Sequence, residues 1–526
     1  MSSTDLILGA QIDVTAAADE LVRGLMLQPW GQVSPSVYET GRLVTLAPWL
    51  VGHRDRVAYL TGTQRPDGAW GAPDGYALVP TLSATEALLS ALIRGDDCGL
   101  AAEVLMEPAM RGLHALTRLL AEFEAARLPD TPAIEIIVMS LVALVNAHLD
   151  VLPGAGIERL PLPAGLNEAP LTMIRRRLES GETLPDKLMH ALEVGGRSAA
   201  GAPAVWPTAA GTIGASPAAT AAWLAVGDPP NPGDPARRHL EAVALRYGGP
   251  VPVGLPITVF ERGWVLSWLV RAGIECHVPP EMPADLAAAI GPAGTPAGAG
   301  LPPDADTTSV ALYALSLLGM PYEPESLRAF ETPTHFCTWQ GEEGASVSVN
   351  AHVLDAFGHF ARTRPSRTEG YAAAIGKVAA WLRERQRADG SWDDRWHASP
   401  YYATVSCALA LGEFGGAESR VAVRRAVRWT LDTQREDGSW GRWDGTAEET
   451  AYALQLLLLV GGDEPVTEAA ARGYRYLRRV ADPGEGPPLW HDKDLYVPVA
   501  VVRAAVLAAL HLAQANPRVV EIACQG

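Results

Sequence analysis

The chain has 526 residues, 48% hydrophobic and only 19% charged, which is too long for one compact core and rich enough in apolar material for two or three. A formal net charge of −18 at pH 7 argues against a nucleic-acid partner, whose phosphates demand a basic surface. Lys187, Lys377 and Lys493 are the only lysines, so arginine supplies nearly all of the positive charge.

From the N-terminus, Met1 to Glu20 (MSSTDLILGAQIDVTAAADE) carries acidic residues where a secretory signal needs a basic stretch, and no run approaches the ~20 apolar residues of a membrane span. A soluble, cytoplasmic protein is expected. Cys98, Cys276, Cys337, Cys407 and Cys524 are scattered and lack metal-binding spacing, which predicts reduced thiols. Apolar residues recur at helical spacing in Ala84 to Ile93, Ile134 to Leu149 and Val501 to Leu512, whereas period-two alternation is hardly visible. The predicted fold class is all-α.

One short segment recurs as Gln64 to Trp70 (QRPDGAW), Gln386 to Trp392 (QRADGSW) and Gln434 to Trp440 (QREDGSW). Its Asp-Gly pair makes a turn after a helix, and Gln and Trp are expected to stack amide on indole and tie that turn to the next helix. Repeated helix pairs predict an open solenoid or a closed barrel. The Pro/Gly-rich stretch from Pro279 to Pro303 is the candidate domain boundary. Directly after it, Leu301 to Gly319 (LPPDADTTSVALYALSLLG) brings Asp304 and Asp306 to the start of an apolar helix. Two carboxyl groups beside an apolar wall suit protonation of an alkene, because burial penalises the carboxylate and keeps a strong acid protonated near neutral pH. Asp306 or Thr307 also reads as a helix cap, since Asp and Thr are preferred there.

Together, the acid motif and the repeats resemble the class II terpene cyclases, the protonation-initiated group. Ser36 to Val44 (SVYETGRLV), Leu184 to Gly195 (LPDKLMHALEVG), Arg246 to Pro256 (RYGGPVPVGLP), Phe260 to Trp264 (FERGW), Ser346 to His352 (SVSVNAH), Arg395 to Tyr402 (RWHASPYY), Thr446 to Leu454 (TAEETAYAL) and Leu489 to Pro498 (LWHDKDLYVP) are all similar to segments of that family. The resemblance implies two α-α double-barrel domains in a βγ architecture, with the substrate cavity between them. Residues 1–51 would form the N-terminal part of β, 52–295 the inserted γ domain, and 296–526 the main part of β.

Asp306 occupies the middle position of the family's DxDD motif, which implies that it is the general acid, with Asp304 beside it. Thr307 stands in place of the fourth Asp, and this DxDTT form resembles cyclases that make drimane-type sesquiterpenes. A Thr hydroxyl hydrogen-bonds a carboxyl without adding charge. Asn350 matches the asparagine that orients the acid. Trp396, Tyr401 and Tyr402 are the motif's candidates for stabilising a carbocation with π faces, although neighbouring positions on a helix cannot all face one cavity. His190 and Tyr247 are further pocket candidates. Gly248 replaces the asparagine that works with such a histidine in copalyl-type cyclases.

Arg175, Arg177 and Lys493 are the expected diphosphate contacts. Mg2+ is implied by the family's acidic γ-domain motif, for which Glu122 and Glu124 are the candidate ligands. Neither Asp96-Asp97 nor Asp393-Asp394 continues into DDxxD, so the diphosphate is expected to stay on the product. The expected reaction is cyclisation of farnesyl diphosphate to drimenyl diphosphate; the alternative takes geranylgeranyl diphosphate to a copalyl or labdane-type diphosphate. A helical-repeat binding module is the non-enzymatic reading, and a homodimer is left open.

Overall fold

Helices that are apolar on every side belong inside a protein, and here they build two rings. The computed structural model describes residues 13–99, 101–122, 128–152, 158–226, 229–342 and 344–525. In the larger ring, Thr258–Arg271, Ala305–Leu317, Val347–Thr363, Pro400–Phe414, Ala447–Val460 and Val499–Gln514 each pack on the next, and the last returns to the first. In Ala305–Leu317 every residue from Thr307 to Ser316 is buried, which only an inner helix allows. Amphipathic helices such as Glu369–Glu384, Arg420–Asp432 and Glu464–Leu477 cover the outside with their charged faces toward solvent. Val14–Leu27 joins this barrel by packing on Val499–Gln514.

The smaller ring runs through Val37–Leu46, Leu78–Arg94, Ile134–Val151, the 3-10 segment Leu192–Ala199 and Pro217–Leu224, which closes on Val37–Leu46. These are the two α-α barrels of the expected fold class. Ile134–Val151 is long and apolar enough to cross a membrane, yet Ile137, Val138 and Val145 are buried in this barrel. Tyr38 and Val44, which lie inside the 1–51 segment of the sequence division, pack into the core of the smaller barrel. A third apolar cluster, including Val33, Leu43, Val253 and Ile257, lies beside the two cores.

The three repeats tie successive outer helices together through hydrogen bonds. Gln64, Gln386 and Gln434 each donate from Nε2 to a glycine carbonyl in their own turn and to a carbonyl of the next outer helix, all at 2.8 to 2.9 Å. Trp70, Trp392 and Trp440 are fully buried and donate Nε1 to the preceding helix at 2.7 to 2.8 Å. The turn glycine is obligatory: at Gly390 φ is +104°, and a Cβ would lie 2.5 Å from the Arg425 carbonyl oxygen.

One element departs from the helical pattern. Trp490–His491 pairs antiparallel with Leu495–Tyr496, and this hairpin reaches from the larger barrel to residues of the smaller one.

Candidate active site

A cavity lies between the barrels, lined by Lys187 and His190 from one side and by Phe260, Trp264, Asp306 and Trp396 from the other. Its acid end is built by a helix cap. Asp304, with extended backbone at φ −134°, accepts the Thr307 backbone N–H at 2.6 Å and is the N-cap of Ala305–Leu317. The cap is therefore Asp304, not Asp306 or Thr307, because only the residue before the first helical turn has the backbone that lets its side chain fold back. Asp306 then falls in the first turn and lines the cavity.

Asp306 Oδ1 lies 2.6 Å from Nδ1 of His352. Burial disfavours the His352 imidazolium, but the charge of Asp306 and its hydrogen bond outweigh burial and leave the histidine's pKa raised. The expected partner, Asn350, does not take this position. Its Oδ1 accepts from the Phe336 N–H at 2.9 Å, and its Nδ2 donates to the carbonyls of Phe336 and Ser346 at 3.0 and 2.8 Å. The amide is spent on backbone and holds the segment whose Thr338 carbonyl accepts from the Ala305 N–H. Asp394 fixes the start of Val347–Thr363, accepting from Ser346 Oγ at 2.7 Å and from the backbone N–H groups of Val347 and Ser348. His352 was absent from the sequence-level candidates, although SVSVNAH contains it.

Within the motif, burial pushes the Asp304 carboxyl up to about 7, with Thr307 pulling it back and Asp306 adding to the rise. Thr307 thus acts on Asp304. A carboxyl with a raised folded-state pKa stabilises the fold while protonated, and that contribution is lost as pH climbs from its unfolded value of 3.8 through about 7. Asp304→Asn keeps a capping side chain but cannot ionise. Chemical denaturation at about pH 5 and about pH 8 is expected to show a smaller loss of stability in the variant than in the wild type; equal losses would overturn the assignment.

Aromatic faces make up much of the remaining wall. Phe260 and Trp264 lie 4.3 Å apart, Trp490 stands edge-on to both, and Trp339 meets Trp396 edge-on at 5.2 Å. Trp396 lines the cavity. Tyr402 sits behind it, accepting from Trp264 Nε1 at 2.9 Å with its ring 4.7 Å from Trp490. Tyr401 faces outward onto Trp429 at 4.7 Å, and Tyr247 packs against Arg246 in the third cluster; neither lines the cavity. The wall residues Phe260, Trp264 and Trp490 lie in FERGW and LWHDKDLYVP, so the motif match was the available signal for them.

At the other end, the ring nitrogens of His190 meet the Gly214 carbonyl at 2.6 Å and Asp492 Oδ1 at 2.7 Å. Burial works against the His190 imidazolium, but Asp492 prevails and the pKa is raised. The expected diphosphate contacts are not at the cavity. Lys493 is fully buried, its Nζ bonded to the His190 carbonyl, Glu193 and Ser216 at 2.7 to 3.0 Å and paired with Glu39. Arg175 reaches the Val194 carbonyl, and Arg177 lies 3.7 Å from Glu182 on the surface. The cation that does line the cavity is Lys187, which is exposed and has no hydrogen-bond or ion-pair partner among the described residues. Glu122 is exposed at the end of Ala102–Glu122, and Glu124 lies outside the described residues.

Residues 342–496 match the Squalene-hopene cyclase C-terminal domain family. Over 505 residues the chain is 43% identical to an ent-copalyl diphosphate synthase of a Streptomyces species (strain KO-3988), covering 95% of this chain and 96% of the relative. It is 42% identical over 519 residues to a labda-7,13-dienyl diphosphate synthase of Streptomyces clavuligerus, covering 95% and 93%. The solved structure of ent-copalyl diphosphate synthase from Streptomyces platensis superposes with a TM-score of 0.91 at 45% identity, covering 95% of this chain and 99% of that one.

The chain is a class II terpene cyclase.

This membership corrects the Mg2+ expectation. Class II cyclases begin by protonation from an acidic residue, and the relatives of this cyclase lend Mg2+ no support. The donor set agrees, since Glu122 stands on an exposed helix end without a second described ligand. His53, Asp96 and Cys98 do cluster closely enough to hold a metal, but Arg94 already engages both oxygens of Asp96, and none of the three lines the cyclase cavity.

Proposed function

We propose that this cyclase converts geranylgeranyl diphosphate to a copalyl or labdane-type diphosphate, with Asp306 as proton donor. The observation that carries the chemistry is a cavity-facing Asp306 whose other side is engaged by His352. A proton on the cavity-facing oxygen passes to the terminal alkene. The His352 N–H at Oδ1 donates to the carboxylate left behind. The tertiary cation is attacked by the next two alkenes in turn, closing two rings, while Phe260, Trp264, Trp396 and Trp490 present π faces to the moving charge. Loss of a proton ends the sequence with the diphosphate intact, and the exposed Lys187 is the residue we assign to holding it.

Chain length follows the relatives. Their names are copalyl and labda-dienyl diphosphate synthases, at 42 to 43% identity over almost the whole chain, which favours the twenty-carbon substrate over the farnesyl reading. The farnesyl reading rested on Thr307, and Thr307 is engaged with Asp304. Incubation with each diphosphate, followed by dephosphorylation and product analysis, is expected to give a bicyclic diterpene alcohol only after phosphatase treatment, with kcat/KM higher for geranylgeranyl than for farnesyl diphosphate. A higher value for farnesyl diphosphate would restore the sesquiterpene reading.

A further inference from the structure

Glu448, in the first turn of Ala447–Val460, is 4% exposed and places three hydrogen bonds on one oxygen. Its Oε1 accepts from Trp490 Nε1 at 2.7 Å, from Tyr452 OH at 2.9 Å and from His397 Nε2 at 3.1 Å. The Ser399 N–H donates to His397 Nδ1 at 3.0 Å, so Nδ1 carries no proton and Nε2 carries the single proton of a neutral ring. All three donors are therefore neutral. No Lys or Arg pairs with Glu448 among the described residues, whereas buried Glu39, Glu86 and Asp355 face Lys493, Arg42 and Arg271. Three donors favour the charged form of a carboxyl group, but burying a charge without a counter-ion is costly.

The location accounts for that cost. Trp490, whose N–H the carboxylate holds, lines the same cavity as Asp306. Tyr402, stacked on His397 at 4.8 Å, supports Trp264 from behind. Glu448 is thus one indole away from the space where positive charge develops during cyclisation. We propose that Glu448 is a positioning residue that fixes the Trp490 indole on the cavity wall and makes that wall more negative, so that the cationic intermediates are stabilised over the neutral substrate. The counter-ion missing from the resting protein is supplied by the reaction.

This inference rests on the cyclisation proposed above and is tested by binding as well as turnover. Two analogues of geranylgeranyl diphosphate serve as probes, one with a protonated tertiary amine at a cationic carbon and one its uncharged isostere. In Glu448→Gln, which keeps size and an acceptor, the preference for the ammonium analogue measured by calorimetry is expected to fall by about tenfold or more, with kcat falling and KM nearly unchanged. Products of early proton loss are expected to rise. Trp490→Phe keeps a π face but cuts the N–H link, and is expected to lose part of the same preference; it serves if Glu448→Gln does not fold. An ammonium preference equal to the wild type's in either folded variant overturns the inference. If the wild type turns over farnesyl diphosphate instead, the same pair is built on the shorter chain, so substrate length and this inference fail separately.

Discussion

Asp306→Asn is expected to lower kcat by about a thousandfold, the usual worth of a positioned general acid, because an amide cannot deliver a proton to an alkene. The fold should be unaffected. Asp304 carries the cap of Ala305–Leu317, and the hydrogen bond that the Asp306 side chain makes to His352 among the described residues can still be accepted by an asparagine oxygen. Binding of geranylgeranyl diphosphate, followed by calorimetry, is expected to stay within about twofold of the wild type, so the loss appears in kcat rather than KM. Turnover within tenfold of the wild type would remove Asp306 as the proton donor.

Lys493→Met is expected to cost about 3–5 kcal/mol of stability, the range for breaking a buried ion pair from one side. Lys493 projects from the hairpin of the larger barrel into a fully buried cluster, where it binds the His190 carbonyl, Glu193, Ser216 and Glu39 of the smaller one. Without it, Glu39 and Glu193 are left buried with no ammonium. Burial already holds Glu39 at about 7 against the pull of Lys493. A raised folded-state pKa means that stability falls as pH rises through that value. The deficit should therefore be larger at about pH 8 than at about pH 6, as read by chemical denaturation at each. A deficit below about 1 kcal/mol at the higher pH would show that the cluster does not join the barrels. The same contacts explain why a residue expected to bind diphosphate does not reach it: a lysine in a motif can be there for a counter-charge inside the protein.

The all-α class was legible because it rests on periodicity between near neighbours, as in Ile134–Val151 and Val499–Gln514. The repeats were legible for the same reason. Gln386, Gly390 and Trp392 perform a local task that the same residues perform at Gln434, Gly438 and Trp440. The acid motif could be located at a helix start, and similarity of the surrounding segments pointed to a family that relatives at 43% identity bear out. That Asp304 caps the helix, and not Asp306 or Thr307, was not legible, because it depends on one backbone angle.

The partner of the acid was decided only by tertiary packing. Asn350 and His352 are two residues apart, about 200° around a helix, so they cannot both face Asp306. The rotation of Val347–Thr363, set where Asp394 grips its first turn, turns His352 to the acid and Asn350 to the Phe336 backbone. Tyr401 and Tyr402 divide in the same way, one outward to Trp429 and one inward behind the wall. Residue types and their spacing along the chain were thus determined by the sequence alone. The facing of each side chain was decided by how whole helices pack, because that rotation is set by contacts between residues far apart on the scale of a helical turn.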